Sequence, residues 1–338
     1  MYDFEVKTAF GLMRRTAPFI LFRMAVYFGI AVAYVVVTGV GAGTGWAIGG
    51  FGDADFRATT TIYGAIGGLG LTAAVIYFLR EYILYIVKAG HIAVMVELLD
   101  GREIPDGRGQ IDYAQSVVRE RFKEASVLFA LDQLVKGVIN AITGLIQGIL
   151  NFLPIPGLDR IMGVVRAYLR LAVGLIDEVI LAHAIRTRSD NPWASAKEAL
   201  VLYGQNGGPM LKNAAWLTAI VWGLSIVVFL VMLAPAALVV WLLPGAWSAG
   251  GFVFALIFAW AVKAALIEPF AIACLLQAFF KVTDGQTPNP EWEQKLENAS
   301  KKFKRMGERA MDWATRGRMG RGTGGDGGGG TPPTPTPT

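Results

Sequence analysis

The chain has 338 residues, of which 54% are hydrophobic and 17% charged, with a mean hydropathy of +0.47. Soluble domains carry about a quarter charged residues, so this composition excludes an ordinary soluble domain and indicates an integral membrane protein. The net charge is only +5, the one cysteine, Cys274, excludes an intrachain disulfide, and two histidines, His91 and His183, are too few to suggest a metal site.

Residues 1–17 read as an amphipathic N-terminus on the cytoplasmic side, with Tyr2, Val6, Phe10 and Met13 along one face. The apolar run from Pro18 to Val40 is too long for a signal-peptide core and reads as an uncleaved anchor. Residues 18–99 then form a transmembrane hairpin with a cytoplasmic helical extension. Its spans run from about Met24 to Gly45 and from about Thr61 to Leu79, each near the 20 or so residues that a bilayer requires. Glycines crowd the end of the first span and the start of the second. Gly39 and Gly43 against Gly64 and Gly68, each pair four apart, are expected to bring the two backbones together. The stretch GVGAGTGWAIGG fits no GxGxxG register, so packing explains it better than nucleotide binding.

Residues 100–124 read as a cytoplasmic loop and helix, and 125–188 as an amphipathic helical hairpin. In its first arm Asp132, Lys136, Asn140, Thr143, Gln147 and Asn151 fall within about 100° of arc at helical spacing. In its second arm Asp159, Arg166, Arg170 and Asp177 share one face, after the turn residues Pro154, Pro156 and Gly157. Folding at that turn is expected to bring Asn140 near Arg170 and Asp132 near Asp177. Two readings stay open: both helices lie in the membrane interface, or they cross or re-enter and line a polar conduit.

Residues 189–283 hold a second transmembrane pair, Ala214 to Leu233 and about Gly251 to Phe280. The last span contains Lys263, Glu268 and Pro269, and its length places Glu268 near mid-membrane, as a path residue or as half of a packing pair with Lys263. Residues 284–316 read as a cytoplasmic basic amphipathic helix. Trp292 and Trp313 are expected at headgroup depth, with Lys301, Lys302, Lys304 and Arg305 on the anionic inner leaflet. The Gly/Thr/Pro tail, 317–338, reads as disordered.

Lys and Arg concentrate before the first span, in 80–123, in 186–212 and in the tail. The positive-inside rule therefore puts both termini in the cytoplasm and the protein in a plasma or bacterial inner membrane. The predicted fold is an all-α, polytopic helical membrane protein with four to six transmembrane helices plus amphipathic interfacial helices.

Residues from about Val117 to Pro290 resemble, in layout, the C-terminal half of choline transporter-like proteins. The resemblance is carried by EVILAHAIRTRSDNPWASAKEAL and by IEPFAIACLLQAFFKVTDGQ, where Glu268 would occupy the place of the family's acidic residue. That residue is usually Asp with no proline after it, and this chain has fewer spans and lacks the family's large extracellular loop. The resemblance implies transport of choline, ethanolamine or a similar small amine, with a cavity acid countering the cation.

The leading expectation is a transporter or channel-like protein for a small cationic or polar solute or an ion. Its path residues would be Glu268, Lys263, Asp132, Lys136, Asn140, Gln147, Arg166, Arg170 and Asp177. The alternative is a non-transporting scaffold that organises lipid or recruits partners through its amphipathic helices, with homo-oligomers a further option. P-loop, HExxH, CxxC and GxSxG motifs are absent, so no enzyme activity, cofactor or metal is expected, and a basic tail beside a membrane surface does not call for nucleic acid.

Overall fold

The computed structural model describes residues 2–79, 85–104, 109–122, 127, 130–140, 175–242 and 248–322. Among them the regular structure is entirely helical. Among the described residues four helical stretches are long and apolar enough to cross a membrane. The polar stripe beyond Asn140, including Gln147, Arg166 and Arg170, lies outside the described residues, as do the predicted turn at 154–157 and the tail beyond 322.

Helix α1 (Val6–Arg15) ends at Thr16, whose amide and hydroxyl both donate to the Leu12 carbonyl, at 2.9 and 3.0 Å. Helix α2 (Ala17–Gly49) begins with Pro18 in its first turn, where a missing amide costs nothing. Helix α3 (Ala54–Leu79) returns antiparallel, and the Asp53 carboxylate caps it by accepting from the Phe56 amide at 2.8 Å.

These two helices meet backbone to backbone. A Cβ at Gly45 would lie 2.0 Å from the Thr60 carbonyl oxygen, and one at Gly64 2.0 Å from that of Gly41. Gly68 is equally closed, against Val37. The register corrects the expectation for the first span: Gly39 and Gly43 face open space, and the contact belongs to Gly41, Gly45 and Gly49. The two sets lie about 200° apart on a helix with 3.6 residues per turn, so the helix cannot use both against one partner.

Helix α4 (Tyr85–Leu99) and α5 (Gln110–Phe122) follow, and residues 130–140 are helical. Helix α6 (Ile176–Arg186) leads to α7 (Pro192–Gln205). Then come the long α8 (Gly207–Leu242) and the last span. That span is built from α9 (Ser248–Val262), a π-helical turn (Lys263–Ile267) and α10 (Glu268–Val282). Helices α11 (Pro290–Ala299) and α12 (Lys301–Gly322) close the described chain. Helices α7 and α11 start alike: Asn191 and Asn289 each cap the first turn with a side-chain oxygen, and a proline follows.

The spans pack in the order α3, α2, last span, α8. At one end of this row sits a helical base around Ile92, Met95, Leu131, Ile180, Leu181, Leu275 and Phe279, all buried. The start of α8 and the end of the last span both enter the base, since Asp3 bonds Asn213 and the Glu5 amide donates to Gln277. Away from the base the spans expose their apolar side chains, Phe28, Ile226, Leu230 and Phe252 among them.

Two amphipathic helices pack differently from their sequence expectation. In α1 the buried face is Ala9 and Leu12, set against the last span, while Phe10 stands 56% exposed. In α11 and α12 the apolar face is turned onto α7: Leu296, Phe303 and Met306 are buried there. Lys197 pairs with Glu293 (2.6 Å) and Glu297 (3.0 Å), and Trp313 donates its indole N–H to the Asp190 carbonyl at 2.8 Å. Ser300, extended at φ −141°, breaks the one expected helix into two, so its apolar stripe follows α7. The two tryptophans are thus protein contacts, while Lys301, Lys304 and Arg305 remain exposed.

Candidate functional site

Ionisable side chains gather where the spans enter the base. The first pair is made by a proline. Pro269 has no amide proton, and in the π-helical turn the Glu268 amide donates to the Lys263 carbonyl. The Ala264 carbonyl therefore has no donor in its own helix. Arg23 of α2 supplies one: its Nη2 lies 2.6 Å from the Ala264 oxygen and 3.0 Å from Glu268 Oε2. Arg23 is 3% exposed and lies over the Tyr27 ring, 5.7 Å from its centre.

This corrects one expectation for Glu268. Its partner is Arg23, and Lys263 forms no ion pair among the described residues. Glu268 stands near the middle of the candidate span Phe252–Val282. It lies about 24 Å along the helix from Phe252 at 1.5 Å per residue. From Pro269 to Phe280 that helix is almost wholly enclosed by protein.

The second group joins α4, α6 and the 130–140 helix. Lys88 pairs with Glu178, Lys136 with Asp132 at 2.7 Å, and Lys136 also reaches Asp177 at 4.0 Å. The structure thus brings the expected Asp132 and Asp177 to the same lysine. Asn140 is exposed. Burial alone would lower Lys88, but the carboxylates of Glu178, Asp177 and Glu268 outweigh it and hold the ammonium above its usual range. Burial, reinforced by Asp177 and opposed by Lys88, pushes the Glu178 carboxyl up to about 8. Burial also raises Asp132, against the pull of Lys136.

Lys88, influenced by Glu268 on one side and by Glu178 and Asp177 on the other, links the two groups. Positive and negative charges alternate from Arg23 through to Asp132. Sequence reasoning missed Arg23, Lys88 and Glu178. Arg23 stood just outside the assigned span, and Lys88 was one cation in the apolar run IVKAGHIAVMV. Glu178 adjoins Asp177, which pointed to the right turn of helix.

Other polar groups fasten the base. His91 bonds Thr16 at 3.0 Å and stacks on Phe19, and burial together with Arg23 lowers its pKa to about 3, so it stays neutral. Glu97 accepts from Arg102 at 2.5 Å and from the Tyr113 hydroxyl at 2.8 Å, and Arg186 bonds Asp100. Among the described residues no group of three or more His, Cys, Asp or Glu side chains could hold a metal ion. In a search against known proteins, no family model, curated protein or solved structure matches the chain.

Proposed function

We propose that the protein is a non-transporting membrane scaffold, whose four spans seat a helical base against one face of a membrane. One observation carries this reading. Of the described ionisable side chains offered by the sequence as a path, Asp132, Lys136 and Asp177 are tied to one another inside the base, and Glu268 of the last span is tied to Arg23 of α2, which leaves Lys263. Beyond Ser225, α8 has no polar side chain except the Trp241 indole, and α9 has only Ser248 and the Trp260 indole. On α2 and α3 the hydroxyls of Thr44, Thr60, Thr61 and Thr72 are spent on carbonyls of their own helices. The Lys and Arg distribution supports a cytoplasmic base with both termini on that side. The packing of α1 and of α11–α12 on one base agrees with that orientation.

The transport reading draws on the surplus of buried carboxylates at Asp132, Asp177 and Glu178 and on the likeness in layout to choline transporter-like proteins. Glu268, the acid that likeness singles out, already has a guanidinium partner. Proteoliposomes of the full chain discriminate between the two readings. The scaffold reading expects choline, ethanolamine, potassium and proton fluxes equal to those of protein-free vesicles. A flux that disappears with Glu268→Gln would reinstate transport.

A further inference from the structure

We propose that Asp132, Asp177 and Glu178 form a proton-binding site, in which one proton shared among the three carboxyls lets the 130–140 helix close on α4 and α6. The inference is independent of the scaffold reading.

The first argument is charge. Among the described residues the group holds three carboxyls and two lysines, Lys88 and Lys136, so with every group ionised one negative charge is left over. Glu178 is 1% and Asp132 2% exposed, which denies that charge to water.

The second argument is geometry. Each of these two carboxyls gives one oxygen to a lysine, and the other oxygen, Glu178 Oε2 or Asp132 Oδ1, is buried with no partner. Asp177 stands beside Glu178 in the first turn of α6 and lies 4.0 Å from Lys136, the lysine that pairs with Asp132. Two ionised carboxylates offer each other only acceptors. A proton on one of them converts the contact into an O–H···O bond and cancels the surplus charge. The proton comes from water on the side of Lys136, which is 43% exposed, and returns there; no bond other than O–H forms or breaks.

Neighbouring charges modulate the site without replacing the proton. Glu268, itself paired with Arg23, acts through Lys88. Lys302 of α12 lies across Gly137, next to Lys136. The start of α6 carries Glu178 in its first turn and favours its ionised form. Burial and the like charge of Asp177 oppose this at Glu178 and prevail, raising it to about 8. A carboxyl raised on folding stabilises the closed arrangement fully below its unfolded value, 4.5 for Glu178, and loses that contribution as pH climbs to about 8. Closure is therefore strongest in acid and weakens toward alkali.

The test is an infrared titration of the purified full chain, paired with hydrogen exchange of the 130–140 amides. Glu178→Gln, Asp132→Asn and Asp177→Asn keep the shape of the protonated groups and so preserve folding. The expected result is a protonated-carboxyl band that persists at near-neutral pH, disappears near pH 8 and is missing in Glu178→Gln. Opening of the 130–140 helix, corrected for intrinsic base catalysis, should rise up to about tenfold per pH unit across this window in the native chain and stay flat in Glu178→Gln. Absence of the band from the native chain overturns the proposal. So does its survival in all three variants, or an equal pH slope of exchange in Glu178→Gln.

Discussion

Removing the guanidinium at position 23 strips two acceptors at once, the Ala264 carbonyl and Glu268. The buried carbonyl matters more, because Glu268 is 30% exposed and water can replace part of its partner. An orphaned buried acceptor costs about 1–3 kcal/mol, so Arg23→Met should lower stability to unfolding in detergent by about that amount. The same account predicts a rescue. Pro269→Ala restores an amide that can donate to Ala264, and in its presence the loss from Arg23→Met should shrink by about 1 kcal/mol. Strictly additive losses in that double-mutant cycle would mean that Arg23 serves the carboxylate alone. Nothing in the sequence at residue 23 announced this role. What could have been read was the Glu268–Pro269 pair: a proline deep in a span leaves a carbonyl needing a donor, and Arg23 is the basic residue inside the matching turn of the first span.

At the scale of helices, the α2–α3 hairpin turns on which glycines meet. A methyl group at Gly45 would press on the Thr60 backbone at 2.0 Å, and backbone cannot swing aside as a side chain can. Gly45→Ala should therefore separate the helices at a cost of about 1–3 kcal/mol, the range for overpacking a closed contact. Gly43→Ala adds its methyl to open space and should cost nothing, or gain up to about 1 kcal/mol in helix propensity. Resistance to unfolding by detergent separates the two variants, and equal behaviour would refute the register. The hairpin, its antiparallel sense and its glycine contact were legible because apolar length and small-residue spacing are local properties. The phase was not. The first span offers overlapping registers, Gly39–Gly43 and Gly41–Gly45–Gly49, and no charge on either side says which faces lipid. On α3 the assignment to Gly64 and Gly68 matches the contact observed.

For the whole molecule, the four spans could be read because about 20 apolar residues have few other uses, whereas the base could be read only in part. An amphipathic stripe shows which side chains avoid water, but it does not say whether lipid or protein receives them. The stripe from Trp292 to Trp313 suits a headgroup layer, yet it is received by α7, with Phe303 and Met306 0% exposed. The clue lay in α7 itself: Lys197 stands among apolar residues where it can meet Glu293 and Glu297 of the tail. Docking on protein and lying on lipid make opposite demands on two kinds of variant. If α7 holds the tail, Phe303→Asp buries a charge where a ring was and should cost at least about 3 kcal/mol. The tail would then be released to cleavage by trypsin at Arg305 and Arg309. Reversal to Glu of Lys304 and Arg305, both exposed while Phe303 and Met306 beside them are buried, should leave it protected at chymotryptic sites such as Phe303 and Trp313. If anionic lipid held it instead, the charge reversal would release the tail from vesicles. Digestion of the full chain in neutral detergent and again in anionic vesicles distinguishes the two, because a tail held by α7 stays protected in both.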